Sequence, residues 1–282
     1  MKIQDTIQLF RTELKDIYSA EEIENFIFFS MNEYLGYTRR HLQLKANQSL
    51  DEKETERFKN ILSELKKYKP IQYILGNTEF YGMKIRVNEN VLIPRPETEE
   101  LVELILQENP SSENILDIGT GSGCIAISLK KHLPEATVSA IDISDEALLI
   151  AKENAILNHT LINFLQGDIL KIDHSQHHDS FDIIVSNPPY VRQSEKRSMS
   201  KNVLDYEPHI ALFIEDDDAL KFYKAISDFA LENLSENGKL YFEINEALGS
   251  DVKKLLEKKG LKNVLIKKDM SGKDRIVFAE RK

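Results

Sequence analysis

Apolar residues recur at helical spacing from the start of the chain. Ile3, Ile7, Phe10 and Leu14 mark one face of an amphipathic helix. Ser19-Ala-Glu-Glu22 has the form of a capping box and leads into Ile23, Phe26 and Ile27. Asp51-Glu-Lys-Glu54 repeats that device ahead of the stripe Phe58, Ile61, Leu62 and Leu65. Residues 1–70 therefore read as a small helical bundle for docking, with no catalytic pattern of its own. It closes at Lys69-Pro70, because proline cannot continue a helix.

Beyond Pro70 the period changes. Thr78–Tyr81 and Met83–Val87 flank Gly82 and predict a β-hairpin, so residues 71–90 read as a linker with a hairpin. Ile93-Pro-Arg-Pro96 stiffens the approach to a helix whose buried face is Leu101, Leu104 and Ile105. Glu97, Glu99 and Glu100 suit the positive end of that helix; Arg95, between two prolines, is expected to pair with one of them or to order the loop. From Asn114 strand and helix patterns alternate. Strands are expected at Asn114–Ile118, Thr137–Asp142, Ile162–Gln166, Phe181–Ser186, Lys239–Ile244, Asn263–Lys268 and Arg275–Glu280. Helices fill the gaps near 123–132, 145–157, 218–233 and 248–259. Such alternation means an α/β domain, here over residues 91–282, with a mostly parallel sheet covered on both faces. The short turn at Gly272 cannot hold a crossover, so one of the last two strands must run antiparallel.

Composition narrows the class. Hydrophobic residues make up 41% and charged residues 30%, as in a soluble globular protein. No apolar run is long enough to cross a membrane, and the first residues contain no secretory h-region. A single cysteine, Cys124, excludes an intramolecular disulfide and fits the cytoplasm. The net charge of −10 argues against broad binding to a phosphate backbone.

The chemistry concentrates at Phe181-Asp-Ile-Ile-Val-Ser-Asn-Pro-Pro-Tyr190. A β-branched apolar strand runs into two prolines, which remove two N–H donors and forbid any continuation. The result is a stiff elbow at the carboxyl end of a strand, where open α/β sheets bind ligands. Asn187 brings a side-chain carbonyl and Pro188 a backbone carbonyl, two acceptors suited to a planar –NH2 group. Tyr190 adds an aromatic face for packing a flat group. Upstream, Asp117-Ile-Gly-Thr-Gly-Ser-Gly123 joins the first sheet strand to the next helix. Gly119, Gly121 and Gly123 let the backbone turn tightly and lie against a ligand. The third glycine comes one residue too early for a dinucleotide fingerprint, and the Gly-Lys-Ser/Thr of a P-loop is missing. A nucleoside without a pyrophosphate fits better. Asp142 ends the second strand, where an acid accepts from ribose hydroxyls. Asp168 ends the third and is placed to read an adenine amino group, with Ile169 over the ring.

In this order the glycine loop, Asp142, Asp168 and Asn-Pro-Pro-Tyr resemble the motifs of class I (Rossmann-like) S-adenosylmethionine-dependent methyltransferases acting on amino groups. Pro70-Ile-Gln-Tyr-Ile-Leu-Gly76, Ile93-Pro-Arg-Pro-Glu-Thr-Glu99, Asp205-Tyr-Glu-Pro208 and Asp274-Arg-Ile-Val277 are similar to the protein-(glutamine-N5) methyltransferases of peptide chain release factors, the HemK/PrmC family. The resemblance implies a seven-stranded sheet, S-adenosylmethionine as methyl donor and S-adenosylhomocysteine as product, and the glutamine of a Gly-Gly-Gln motif as acceptor. It implies cofactor contacts from Asp117, Gly119, Thr120, Gly121, Ser122, Gly123, Asp142, Ile143, Asp168, Ile169 and Asn187. Asn187, Pro188 and Tyr190 would be catalytic, with Pro189 joining them in substrate binding. Some relatives carry an aromatic where this chain has Ile169, which weakens adenine stacking.

Other signals are plainer. His174, His177 and His178 tempt a metal reading, but their short polar segment reads as a loop, and no metal is expected. Glu215–Asp218 reads as an acidic helix cap, and Arg39-Arg40-His41 and Lys66-Lys67 as solvated charge. Adenine N6 and cytosine N4 are also flat –NH2 groups, so a DNA or RNA amino-methyltransferase is the rival reading. The acidic balance, the family-specific motifs and the absence of a basic stripe favour a protein substrate with no direct nucleic acid; no membrane contact is expected, and the chain is expected to be a monomer. A third reading, a binding module that keeps the fold without the chemistry, leaves both halves of a methyl-transfer site unexplained.

Overall fold

The computed structural model describes residues 1–171 and 180–282; His174, His177 and His178 lie outside them. The chain divides into two units, Met1–Gly76 with Ser200–Tyr206, and Asn77–Met199 with Glu207–Lys282.

The first unit contains α1 (Ile3–Leu14), α2 (Ala20–Leu35), α3 (Arg39–Leu44), α4 (Glu52–Leu65) and α5 (Ile71–Leu75). Both expected capping boxes form: Ser19 and Glu22 exchange hydrogen bonds, as do Asp51 and Glu54. Ile3, Phe10, Leu14, Ile23, Ile27, Phe58 and Leu65 meet in one buried cluster. The unit runs past Pro70 because Ile71 also joins that cluster and the short α5 ends at Gly76 in the left-handed conformation. Arg39, read as solvated charge, is exposed, and at the surface it donates to Asn25 at 2.9 Å and lies over the Phe28 ring.

The second unit opens with the expected hairpin, β1 (Asn77–Phe80) and β2 (Met83–Arg86), paired antiparallel. Its two turn residues, Tyr81 and Gly82, both have positive φ (49° and 72°), the twist that closes a two-residue hairpin. Then come α6 (Pro96–Glu108), β3 (Asn114–Ile118), α7 (Cys124–His132), β4 (Thr137–Asp142), α8 (Asp145–Leu157) and β5 (Asn163–Gln166). β6 (Phe181–Ser186) and a two-residue strand, β7 (Val191–Arg192), precede α9 (Lys201–Tyr206), the piece that returns to the helical unit, where the Tyr206 hydroxyl donates to the Lys67 carbonyl. The rest is α10 (His209–Leu212), β8 (Phe213–Ile214), α11 (Lys221–Asn233), β9 (Leu234–Glu243), α12 (Gly249–Lys259), β10 (Lys262–Lys268) and β11 (Asp274–Glu280).

The seven-stranded sheet has the order β10-β11-β9-β6-β3-β4-β5, with β11 antiparallel to both its neighbours. β6 and β3 sit at its centre, and Ile183, Ile184 and Val185 are fully buried. A strand covered on both faces must be apolar at every position, which is what this run supplies. Two features differ from expectation. β9 begins at Leu234, ahead of Lys239, because Leu234 pairs with Phe181 before a register shift. β7 and β8 form a separate parallel ladder, Val191 with Phe213 and Arg192 with Ile214, too short to leave a periodic trace. Among the described residues no helix is long and apolar enough to cross a membrane.

Gly123, read as a ligand-facing glycine, serves the packing of α7 against α8. Its φ is +81°, and a Cβ there would stand 3.1 Å from Ala151 Cβ and 3.1 Å from Ile127 Cδ1. Gly123→Ala should therefore lower unfolding free energy by ~1–3 kcal/mol, from an unfavourable φ together with overpacking. Urea denaturation measures it, and an unchanged midpoint would refute the packing role.

Candidate active site

Parallel strands place their carboxyl ends on one edge of the sheet, and there β3, β4 and β6 deliver the glycine loop, Asp142 and the Asn-Pro-Pro elbow. The loop is pinned from below. Gly119 N–H and Thr120 N–H both donate to the Ile141 carbonyl, at 2.8 and 3.1 Å. Gly119 and Gly121 have φ of +74° and +55°, and a Cβ on either would meet nothing within 4 Å. Backbone conformation, rather than crowding, demands glycine at these two positions.

Asp142 both supports the loop and faces the cavity. One carboxylate oxygen accepts from Gly121 N–H at 2.8 Å, the other from Ser144 N–H at 3.0 Å. Each oxygen retains a lone pair for a further donor such as a ribose hydroxyl. Burial raises its pKa, against the opposing pull of these amides. Asp168 accepts from Leu170 N–H and pairs with Lys171 at 3.0 Å. Burial pushes its pKa up, but the Lys171 and Leu170 hydrogen bonds outweigh that and hold the group below the ordinary carboxylate value.

A cavity of about 320 Å³ lies along this edge, within the range of small-molecule sites. Residues 119–122, Asp142, Ile143, Asp168, Ile169, Asn187, Pro188 and Pro189 line it, so most of the expected site residues are brought together. Asp117, Gly123 and Tyr190 are not on its wall. Asp117 stands behind the loop, fully buried, where Thr120 Oγ1 donates to one of its oxygens at 2.6 Å. Its other oxygen is buried with no close hydrogen-bond partner among the described residues, and burial pushes the carboxyl pKa up to about 7. Cys124 reaches the wall, but burial pushes its thiol up to about 12, leaving it a neutral packed group.

The donor set suits an adenosine-bearing ligand. Free lone pairs on Asp142, the carboxylate of Asp168, the apolar cover of Ile143 and Ile169, and the glycine backbone at 119–122 form one continuous wall. Among the described residues no group of three or more His, Cys, Asp or Glu side chains is placed to hold a metal ion.

The elbow is the second half of the wall. Ser186 Oγ donates to the Ile118 carbonyl at 2.6 Å and ties the end of β6 to that of β3. Beyond it, Asn187 Nδ2 donates to Thr98 Oγ1 at 3.4 Å, and Thr98 Oγ1 donates to Glu243 Oε2 at 2.6 Å. Neither Asn187 Oδ1 nor the Pro188 carbonyl accepts a hydrogen bond from any described residue. Tyr190 differs from expectation. Its ring packs against the sheet core and its hydroxyl donates to Glu243 Oε1 at 3.1 Å. The physical reason is Glu243, a fully buried carboxylate that needs donors on both oxygens. Burial raises the Glu243 pKa, while Thr98 and Tyr190 oppose that rise.

Sequence reasoning missed several supports. Arg95 pairs with Glu207 at 2.5 Å rather than with Glu97, Glu99 or Glu100, and Ile93 N–H donates to the other Glu207 oxygen at 3.2 Å. Glu99 and Glu100 are instead acceptors for Tyr81 N–H and Met270 N–H. Glu243 had one visible sign, an acid within the apolar run of its strand. Asn154 had none. From mid-helix in α8 its amide exchanges hydrogen bonds with Arg86 N–H and C=O, at 2.7 and 3.0 Å, and donates to the Ser122 carbonyl at 2.9 Å. It thus joins the hairpin to the glycine loop. Asn154→Ala should cost ~1–3 kcal/mol of stability by stranding these backbone groups. Chemical denaturation with no loss would show the bonds to be dispensable.

Comparison with known proteins agrees with this architecture. Residues 97–206 match the family described as Methyltransferase small domain, and residues 5–76 match the PrmC N-terminal domain. A release factor glutamine methyltransferase of Flavobacterium psychrophilum is 51% identical over 280 residues, covering 96% of this chain and 98% of its own. One from Bacteroides thetaiotaomicron is 47% identical over 271 residues, covering 96% and 97%. In fold the chain is also like a crystal structure of a methyltransferase from Pyrococcus furiosus, with a TM-score of 0.53, 18% identity and coverage of 82% and 99%.

Proposed function

The chain belongs to the release factor glutamine methyltransferases, and from that premise we propose that it methylates the side-chain amide nitrogen (N5) of the glutamine in a Gly-Gly-Gln segment of a peptide chain release factor, using S-adenosylmethionine. One observation carries the chemical reading. Asn187 and Pro188 both line the cavity, and neither Asn187 Oδ1 nor the Pro188 backbone oxygen has a donor among the described residues. A primary amide has two N–H groups to satisfy them.

When bound, S-adenosylmethionine supplies an electrophilic methyl group on a sulfonium. Asp142 would hold its ribose, Asp168 its adenine amino group, Ile169 the ring face, and the backbone of residues 119–122 the remainder. At the acceptor, the amide nitrogen is a weak nucleophile because its lone pair is shared with the carbonyl. Asn187 and Pro188, accepting from both of its hydrogens, orient that lone pair and stabilise positive charge developing on nitrogen. As the N–CH3 bond forms, the S–CH3 bond would break to leave a neutral thioether, the nitrogen would then lose one proton to solvent, and no deprotonation has to precede transfer. Tyr190, through its hydrogen bond to Glu243, would support this arrangement from beside the cavity.

Radiolabelled methyl transfer to a release factor tests the reading. Label should appear on the wild-type factor and be absent from its Gln→Ala variant. Label on DNA or ribosomal RNA instead would promote the nucleic-acid alternative. In the same assay Asn187→Ala should lower kcat by roughly 10²-fold while changing cofactor affinity less. Near-normal turnover in that variant would remove Asn187 from the mechanism.

The helical unit, which carries no catalytic pattern of its own, is assigned the task of gripping the protein substrate. A short Gly-Gly-Gln peptide lacks that second contact. It should therefore show a KM at least about tenfold above that of the intact factor, the loss expected when one of two linked contacts is missing. Equal KM values would contradict the docking role.

A further inference from the structure

An asparagine amide has two ends of nearly equal shape and opposite hydrogen-bonding sense. Rotation by half a turn about its last bond exchanges carbonyl for –NH2. At position 187 the difference matters, because a flipped amide would present a donor to a substrate group that is itself a donor. Something must break the symmetry.

We propose that Thr98 and Glu243 are positioning residues that fix the Asn187 amide with its carbonyl toward the acceptor group, and so set the site's selectivity for a substrate –NH2. The inference rests on the proposed role of Asn187 and deepens it. Three groups carry it in series. A threonine hydroxyl has a single hydrogen, and Thr98 gives it to Glu243 Oε2 at 2.6 Å. Toward Asn187, 3.4 Å away, Thr98 Oγ1 can then only accept, which requires the –NH2 end of the amide there. Oδ1 is left as the end without a donor among the described residues.

Glu243 is what keeps the Thr98 hydrogen turned away from Asn187. Its Oε2 accepts from Thr98 and its second oxygen accepts from the Tyr190 hydroxyl at 3.1 Å, so both oxygens are already engaged as acceptors. The acid is fully buried, and Thr98 is 3% exposed, so water does not compete freely for these bonds. Tyr190 is held in turn: its hydroxyl donates to Glu243, and its carbonyl accepts from Asn245 Nδ2 at 3.4 Å. The polarity of one catalytic amide is thus relayed from an acid at the end of a neighbouring strand, β9, through the first turn of α6.

The test is a set of Thr98 variants in the full chain, assayed for methyl transfer with calorimetry of S-adenosylmethionine binding alongside. Thr98→Val, nearly isosteric but without the hydroxyl, should lower kcat about tenfold, the loss of one orienting hydrogen bond. Cofactor affinity should stay within about threefold, since Thr98 orients the acceptor side alone. Thr98→Ser keeps the hydroxyl and should restore turnover to within about threefold of wild type. Should Thr98→Val fold poorly, Thr98→Ala serves the same comparison.

The decisive arm is a double-mutant cycle with Asn187→Asp. A carboxylate has an oxygen at both ends and no wrong orientation. In that background, slow as it will be, Thr98→Val should cause no further loss of kcat. An equal fold-loss in both backgrounds, or full kcat in Thr98→Val itself, overturns the proposal. These results are separate from the fate of the proposed function. If the wild-type enzyme labels a nucleobase –NH2 instead of glutamine, the acceptor assignment falls, while the same Thr98 comparison is run on that base.

Discussion

Two prolines after a buried strand set the central constraint of this molecule. β6 is fully engaged between β3 and β9, and every ladder hydrogen bond it makes ends at Ser186. Pro188 and Pro189 have no N–H to offer, so the chain leaves the sheet carrying carbonyl oxygens without matching donors. In a folded protein such groups demand partners. Here Asn187 and both prolines line a cavity, and the neighbouring elements hold the elbow in place. Ser186 anchors the elbow to β3, Thr98 takes the Asn187 amide hydrogen, and Glu243 takes those of Thr98 and Tyr190.

The cofactor side answers a complementary constraint. The loop after β3 exposes backbone N–H groups, and Asp142 accepts one of them while keeping acceptor capacity for a ligand. The three glycines share a left-handed conformation but differ in purpose. Gly119 and Gly121 shape a backbone that faces open space, whereas Gly123 admits close approach of α8. Asn154 then links that helix to the loop and to the hairpin. The cavity is therefore held by hydrogen bonds from elements far apart in sequence. In the proposed reaction this rigidity matters because the nucleophile is weak and alignment must supply much of the rate.

Much of this was legible without coordinates. β3, β4, β6 and α8 have the bounds that periodicity predicts, because strands of the sheet interior and a well-capped helix write their environment into every residue. Both capping boxes and the hairpin turn were readable for the same reason: their partners lie within a few residues. Where the reading failed, the partner was remote. Arg95 had three acids close by in sequence, yet of its two expected roles it takes the other, pairing with Glu207, more than a hundred positions away, which also binds Ile93 N–H and so orders the loop. Tyr190 offered an aromatic ring beside the reactive asparagine, and the fold turned it toward a buried acid.

Chain pattern alone was enough for the seven sheet strands and their main helices, for the order of the glycine loop, Asp142, Asp168 and the elbow along one sheet edge, and for the family to which these belong. Local rules suffice for that, since strand period, proline geometry and glycine conformation act over a few residues. Which residues line the cavity and which stand behind it was settled by packing. Asp117, Gly123 and Tyr190 looked like members of the site; Thr98, Glu243 and Asn154 did not. A buried polar group takes its role from the donors and acceptors that packing brings within about 3 Å, a distance at which chain position carries no information.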